Sequence, residues 1–391
     1  MSEAPARPPW RVRARQLWAE GRVVAAEFFL TPTTGEAISA FRIALGILVL
    51  YYLLVSVSWN LDRYYGERGL LPYADYLTTD ASHFTLLAIG PSEALLHAVW
   101  AGTVAAAALF TLGLFTRVAA VVTYIGLVSF YNRNPWLMNA GDHLVVILVF
   151  LCIIAPAGLR FSVDAWLRRG RARRAGRTLP PTPVYGVAII RLLVCFVYLS
   201  SFVHKMSNSS WRKGEAVTRI LDSTRFASGM VDFDSFPIFE RMATWGTLLV
   251  EGVFLLALLK RWRPWILVAG IGLHISIELL MKIPMFTAVM LISYIALLDD
   301  GEVRWLLRPL LGRFVEPPAI SVDAAVNPSA PGMPAMALTA TSEAPTAPAA
   351  VQRATAAEVG TPEAEAGTDP ESAAPAATQA DPSAGTVSPG A

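Results

Sequence analysis

An apolar stretch of the chain ends in two adjacent residues that can transfer protons, His204 and Lys205. The stretch begins near Tyr198, and Trp211 and Gly214 follow shortly after it. A lysine removed from water holds its proton less tightly, so Lys205 could act as a general base. The ordinary alternative is a lysine that extends its amine to a membrane surface and has no chemical role.

Further ionisable side chains interrupt other apolar stretches. Glu251 lies in the middle of one, and His274 and Glu278 lie four residues apart in the next, on one helix face. Each ionisable group inside a bilayer costs about 2.5 to 3.5 kcal/mol, which favours a functional role. We expect these groups to border a cavity that opens outward. The structural alternative is that Glu251 and His274 pair with each other or with backbone groups between helices.

Two polar connections carry the remaining candidates. Tyr64 and Tyr65 lie in a loop that mixes charged, aromatic and turn residues. The second connection contains Asn139 and Asp142 and ends in His143, at the start of another apolar stretch. Both connections are expected on the same face of the membrane as Lys205.

The elements that position these residues follow from composition. Hydrophobic residues make up 54% of the 391 residues and charged residues 16%, and the mean hydropathy is +0.47. A soluble protein of this size could not bury so much apolar surface. The predicted fold class is all-α, a polytopic integral membrane bundle of about eight transmembrane helices. Cys152 and Cys195 lie inside apolar runs and predict neither a disulfide framework nor a metal site, and no nucleic-acid partner is expected.

The predicted topology rests on the distribution of arginine and lysine. With eight spans, the basic N-terminus and every basic connection fall on one side, which is the cytoplasm by the positive-inside rule. Both termini are then cytoplasmic, and Arg42 and Arg191 are expected to extend to the cytoplasmic surface. The predicted spans are residues 37–58, 93–115, 118–131, 143–156, 184–204, 245–259, 265–281 and 286–298.

Three segments are predicted along the chain. Residues 1–30 read as a basic amphipathic cytoplasmic segment on the membrane, with a solvated basic tail as the alternative. Residues 31–315 form the transmembrane domain. Residues 316–391 are rich in alanine and proline and predict a disordered cytoplasmic tail.

Several motifs resemble one known family. Residues 198–205, with Trp211 and Gly214, resemble the lysine motif of the vitamin K-dependent gamma-carboxylase family. Residues 139–143 resemble its outer-face histidine segment, and residues 272–274 its late histidine helix. Residues 41–46 and 69–72 are similar to the start of the bacterial HTTM (horizontally transferred transmembrane) proteins, which share this domain. The similarity covers roughly residues 30 to 300 and implies a bacterial inner-membrane protein.

The resemblance implies a quinone-linked reaction on the non-cytoplasmic face. Lys205 would deprotonate a reduced, vitamin K-like quinone, with oxygen and carbon dioxide as co-substrates, and His143 would assist. His204 replaces one of the family's paired lysines. The expected tail is short, disordered and cytoplasmic and is not expected to replace the family's large substrate-binding domain. A small molecule or a peptide supplied by a partner is therefore expected as the substrate. The expected catalytic residues are Lys205, His143 and His204, and the expected cavity residues are Asn139, Asp142, Trp211, Glu251, His274, Glu278, Tyr64 and Tyr65.

Two function classes remain open. A quinone-linked membrane enzyme predicts that Lys205 and His143 converge on one outward cavity. A non-catalytic accessory protein, in maturation of or immunity to an exported peptide, predicts that Lys205 reaches lipid headgroups. In that case the helices close over Glu251 and His274 without a cavity. A transporter is less favoured, because no inverted repeat is visible.

Overall fold

The computed structural model describes most of the predicted transmembrane domain. It covers residues 18, 22, 28–79, 83–177, 182–183, 185–222, 237–281, 283 and 285–311. All of them belong to one compact unit, Met1–Ile320. The predicted segment 1–30 lies almost entirely outside the described residues, and the predicted tail 316–391 lies wholly outside them.

The fold is all-α, as predicted, and a helix lies at each of the eight predicted spans. The single strand pair is short, with β1 (Pro32–Thr33) antiparallel to β2 (Thr182–Pro183) among the described residues. In chain order the α-helices are α1 (Glu36–Tyr51), α2 (Leu61–Tyr65), α3 (Tyr73–Thr78), α4 (Glu93–Leu112), α5 (Thr116–Arg133), α6 (Ala140–Ile154), α7 (Val163–Arg174), α8 (Tyr185–Ser207), α9 (Ser209–Lys213), α10 (Ala216–Leu221), α11 (Pro237–Val253), α12 (Arg263–Leu280), α13 (Phe286–Leu297) and α14 (Asp300–Leu311).

Within the described part of the chain, five helices are long and apolar enough to cross a membrane. Helices α6 and α13 are apolar but shorter. The expected number of about eight spans therefore stays a prediction. The five are Glu36–Tyr65, Glu93–Leu112, Tyr185–Ser207, Ile238–Leu258 and Arg263–Leu280.

The first of these spans is not α-helical throughout. After α1 the chain continues as a π-helix over Tyr52–Val57 and a 3₁₀ turn over Ser58–Asn60 before α2 begins. The indole of Trp100 on α4 donates a hydrogen bond of 3.0 Å to the carbonyl of Leu53 in the π-helix. A backbone acceptor in the altered segment is thereby paired with the neighbouring helix.

Helix α1 packs against α4 and α13, and α8 packs against α11. Gly46 on α1 permits the close approach of α4, because a Cβ at this position would lie 2.3 Å from the hydroxyl oxygen of Thr111. Leu45, Val49 and Phe110 are fully buried beside this contact. The core of the bundle therefore lies around α1 rather than around the α8–α11 pair.

The first and last described helices are joined at one end of the bundle, which we call the arginine end. Glu36 at the start of α1 is fully buried and pairs with Arg304 of α14 at 3.0 Å and with Arg160 at 3.5 Å. Asp300 of α14 accepts hydrogen bonds from the Thr33 hydroxyl at 2.6 Å and the Ala37 amide at 2.9 Å. The two carboxylates thus join the start of α1 to α14.

The expectation that Arg42 extends to the membrane surface is wrong. Its side chain is fully buried and donates to the carbonyl of Phe161 at 2.6 Å. Arg191 is largely covered as well, and its guanidinium donates to the carbonyls of Ala296 and Leu298 at 2.9 and 2.7 Å. Both arginines bind carbonyls of chain segments that cross the arginine end, which satisfies acceptors that have no partner within a helix.

Candidate functional site

A cavity of about 460 Å³ lies between α8, α11, α12 and α13, and we call it the Lys205 cavity. Its wall is mainly apolar, with Met242, Leu273 and Phe286 among the lining residues. The volume is in the range of pockets that hold small organic molecules. The polar side chains that line it are Tyr198, Ser201, Lys205, Thr247, Glu251, His274 and Ser276.

Lys205 and Glu251 form an ion pair at this cavity. Ser201 joins the pair, since it accepts a hydrogen bond from the Lys205 amine at 3.0 Å and donates one to Glu251 Oε1 at 3.1 Å. The Lys205 side chain is 21% exposed and that of Glu251 is 7% exposed. Glu251 Oε2 has no hydrogen-bond partner among the described residues. The pair therefore has one free acceptor atom.

The local sequence explains how the lysine is held. Ser201 and Lys205 lie four residues apart on α8 and so share one face. Helix α8 ends at Ser207, and the Asn208 side chain accepts a hydrogen bond from the Ser210 amide at 2.9 Å, which starts α9. This turn places Trp211 so that the Lys205 amine lies 4.8 Å from its ring centroid. A cation over an indole ring is an attractive contact, so Trp211 orients the amine.

A second polar group in the same cavity centres on Tyr198. Its hydroxyl shares a hydrogen bond of 2.6 Å with His274 Nε2 and a short one with the hydroxyl of Tyr294. Phe254 stacks on the Tyr198 ring with centroids 3.6 Å apart. His274 Nδ1 has no partner among the described residues, although the residue is buried. Three helices and the turn after α11 thus hold one tyrosine–histidine unit.

These pairings differ from the structural alternative expected for the buried charges. Glu251 pairs with Lys205, whereas His274 pairs with Tyr198. The two ionisable groups line one cavity without contacting each other directly in the described structure. Both side chains are buried but line a cavity, and the Lys205 amine contacts Glu251.

His143 lies in a different place. It lines a second cavity of about 440 Å³, which we call the His143 cavity, together with His83, Tyr131, Asn132 and Met138. None of the residues that line the Lys205 cavity lines this one. The structure therefore does not bring His143 and Lys205 to a common cavity.

Asn139 and Asp142 have a structural role at the start of α6. The Asn139 side chain accepts a hydrogen bond from the Gly141 amide at 2.7 Å, and Asp142 accepts one from the Asn139 amide at 2.8 Å. This reciprocal arrangement is a capping box, which satisfies amides that a helix start leaves unpaired. It also fixes the position of His143 one residue later.

The remaining candidates lie apart from the Lys205 cavity. His204 is exposed next to Lys205, and Glu278 is exposed near the end of α12. The carbonyl of Tyr64 accepts a hydrogen bond from the Asn134 side chain at 2.8 Å. Tyr65 is buried, with its ring 5.1 Å from that of Phe130. The tyrosine pair therefore belongs to the packing between α2 and α5.

The family of the chain follows from a comparison with protein-family models. The model described as the HTTM domain matches residues 30–300, well over half of the chain. The chain belongs to the HTTM family. In this HTTM protein the matched region contains both cavities and every residue of the Lys205–Glu251 and Tyr198–His274 units.

The chain is also similar to one curated bacterial protein. The HTTM protein is 28% identical over 186 residues to a protein of Bacillus subtilis (strain 168) that bears the name "Uncharacterized protein YitO". The match covers 44% of this chain and 59% of the relative. No solved structure matches the chain.

Some residues of the site in this HTTM protein carried little sequence signal. Ser201 could have been found from its spacing of four residues before Lys205. Tyr294 and Phe254 could not, because aromatic residues in apolar helices mostly pack against neighbours. Their contacts with Tyr198 depend on how α8, α13 and the turn after α11 are placed against one another, which local sequence does not specify.

Proposed function

We propose that this HTTM protein is a membrane enzyme that binds an apolar ring compound of the quinone class in the Lys205 cavity and moves a proton there. The observation that carries this proposal is the Lys205–Glu251 ion pair on the wall of an otherwise apolar cavity. A charged pair next to open apolar volume is costly to maintain in a membrane, and a purely structural pair would be closed off by packing.

The cavity fits a reduced quinone in size and chemistry. Its apolar wall, with Phe286 and Leu273, suits a hydrocarbon ring system, and Lys205 and Trp211 lie at its polar part. When bound, a reduced quinone supplies an acidic hydroxyl and a ring that reacts with oxygen. The carboxylase resemblance adds oxygen and carbon dioxide as co-substrates to the proposal.

The protein's own residues would handle the proton. Lys205 and Glu251 are directly hydrogen-bonded, so a proton can move from the amine to the carboxylate and leave two neutral groups. The neutral Lys205 amine would then accept the proton of the quinone hydroxyl. Ser201 and Trp211 keep the amine in place.

The location is part of the same proposal. Arginines concentrate at the arginine end of the bundle, and the Lys205 cavity lies towards the opposite helix ends. The positive-inside rule then assigns the arginine end and both termini to the cytoplasm. This would place the cavity towards the non-cytoplasmic face of a bacterial inner membrane, with a small molecule or peptide as the acceptor on that face.

The proposal is tested by quinone binding to the full chain in nanodiscs. Menadiol, a reduced two-ring quinone without a side chain, is titrated against the wild type, Lys205→Met and His204→Ala. His204→Ala is the matched control, because it changes the adjacent exposed residue. We expect saturable binding that Lys205→Met weakens at least about tenfold and His204→Ala leaves unchanged. No saturable binding to the folded wild type would overturn the proposal.

One observation favours a second candidate function. His143 and Lys205 line different cavities, which a shared active site does not predict. This supports a non-catalytic membrane accessory protein in maturation of, or immunity to, an exported peptide. Under this alternative, co-purification would recover a peptide from the wild type and from Lys205→Met alike, and neither protein would bind menadiol.

A further inference from the structure

Helix α7 presents an arginine surface at the arginine end of the bundle. Residues 160–177 contain seven arginines and a single acidic residue, Asp164. Arg171, Arg173 and Arg174 are exposed, and none of their guanidinium groups has a hydrogen bond or ion pair with any described residue. They line a groove of about 570 Å³ together with Trp166.

The one acidic residue cannot neutralise this surface, because it is used elsewhere. The Asp164 carboxylate accepts hydrogen bonds from the Phe115 amide at 2.9 Å and from the Thr116 amide and hydroxyl at 2.8 and 2.7 Å. The Asp164 amide in turn donates to the carbonyl of Gly113 at 3.0 Å. These bonds fix the start of α7 to the turn between α4 and α5. The arginines are therefore held at the end of a membrane-spanning helix.

The arginines also repel one another. Arg168 and Arg169 donate to the carbonyls of Gly158 and Leu159 at 2.5 and 3.4 Å, which folds them back under the helix. Burial, followed by the charges of Arg160 and Arg168, lowers the pKa of Arg169. The dipole of one short helix supplies only about half a negative charge at its C-terminus. Glu36 acts on Arg169, but the positive charges of Arg171, Arg173 and Arg174 have no ion-pair partner among the described residues.

Exposed tryptophans indicate where this surface lies relative to the lipid headgroups. Trp166 on α7 is 72% exposed, and Trp265 and Trp305 at the same end are 71% and 72% exposed. Tryptophan concentrates at the boundary between the hydrocarbon and the headgroups of a bilayer. The neighbouring tryptophans therefore predict that the arginines of α7 lie at the level of the lipid phosphates.

We propose that α7 binds the phosphate headgroups of anionic phospholipids, with Arg171, Arg173 and Arg174 as the phosphate ligands. Trp166 and Leu167 lie in the interfacial layer beside them and anchor the helix to the bilayer. Guanidinium groups suit phosphate because they form paired, charge-assisted hydrogen bonds. This surface is independent of the Lys205 cavity, so it stands whether or not the cavity binds a quinone.

The test measures lipid preference with the full chain in bilayers that contain spin-labelled phosphatidylglycerol or spin-labelled phosphatidylcholine. The fraction of motionally restricted lipid gives the relative association of the two lipids. Each arginine near an anionic surface contributes about fivefold to binding, so wild type should prefer phosphatidylglycerol by at least about fivefold. Replacing Arg171, Arg173 and Arg174 by Gln should bring the ratio close to one.

A matched control separates this effect from net charge. Arg63, Arg68 and Lys213 are exposed basic residues at the opposite helix ends, and replacing all three by Gln should leave the preference unchanged. Lysine at positions 171, 173 and 174 should restore part of it. A preference that survives in the Gln variant, or is lost equally in the control, overturns the proposal. Competition by about 10 mM inorganic phosphate would assign the surface to a free anion and would overturn it too.

Discussion

The two ends of the bundle both bury charged side chains, but they surround them differently. At the arginine end, Glu36 Oε1 faces Arg160 and Arg304, and Oε2 accepts a hydrogen bond from the Thr34 hydroxyl. At the Lys205 cavity, Glu251 shares one oxygen with Lys205 and leaves the other without a partner in the described chain. One carboxylate is fully paired and the other is only half paired.

Under the proposed function, this difference separates a carboxylate that joins helices from a carboxylate that takes part in proton transfer. A carboxylate with both oxygens occupied by fixed donors has no free site for another partner, and removing it leaves buried charges unpaired. A half-paired carboxylate beside a cavity keeps an acceptor for a proton. Changes at the arginine end should therefore affect folding most, and changes at the Lys205 cavity should affect ligand binding and proton transfer most.

The largest effect is expected for Glu36→Gln. The amide keeps the shape of the side chain but leaves Arg160 and Arg304 without their buried counter-charge, which should lower the free energy of unfolding by about 3 kcal/mol. Thermal unfolding in detergent measures this loss. Glu67→Gln, at an exposed carboxylate, is the control and should change little. A Glu36→Gln protein as stable as the control would remove the distinction between the two ends.

Glu251→Gln should show the opposite profile. Glu251 is buried, but Lys205 keeps about a fifth of its side chain exposed and retains its contacts with Ser201 and Trp211, which limits the stability loss to about 1 kcal/mol. Because the amide cannot take a proton from Lys205, ligand-dependent proton release from menadiol should fall at least about tenfold. Proton release in a weakly buffered solution, with a pH indicator, measures it. Equal release by the variant and the wild type would contradict a reactive role for Glu251.

Tyr198→Phe tests whether the second polar group of the cavity stabilises the fold. The change removes the hydroxyl that joins His274 and Tyr294 and should lower the free energy of unfolding by about 1 kcal/mol. Tyr51→Phe is a matched control, because this tyrosine is exposed on α1. Thermal unfolding of both variants shows whether the Tyr198 unit is a structural contact. A variant as stable as its control would mean that the hydroxyl contributes no net stability.

The smallest effect is a pH dependence at the arginine end. Burial alone would raise the pKa of Asp300, but hydrogen bonds from Thr33, Ala37, Gly35 and Thr34 outweigh it, so the pKa lies below its ordinary value. A lowered pKa means that the stabilisation is fully present above the ordinary Asp value of about 3.9 and is lost as the pH falls through the folded value. Unfolding temperatures measured from pH 6 down to pH 3 should therefore decline less steeply in Asp300→Asn than in the wild type.

Much of the architecture could be predicted because it depends on composition and run length. The all-α class and the position of each apolar helix follow from long hydrophobic runs. The rotation of the helices could not be predicted in this way. The pairing of Glu251 with Lys205 instead of His274 depends on how α8 packs against α11, and the burial of Arg42 depends on a loop that crosses the arginine end.

The same limit separates the site residues that could be predicted from those that could not. Of the eleven residues predicted to form one site, four line the Lys205 cavity, namely Lys205, Trp211, Glu251 and His274. His143 lies near the same helix ends but lines another cavity, since depth along the helices follows from the sequence and the direction of a side chain around the helix does not. Asn139 and Asp142 carried a capping signature in the sequence, which explains their positions without a ligand.

The π-helix in the first span has a consequence for chain length. A π-helical turn closes its hydrogen bonds over one residue more than an α-helical turn, so the segment Tyr52–Val57 accommodates an added residue. Losing one residue there would convert the turn to an α-helix and keep Leu61 and Tyr65 on their buried faces. The same loss within α1 would rotate everything after it by about 100°. We therefore expect single-residue deletions to be tolerated in this segment and not in α1.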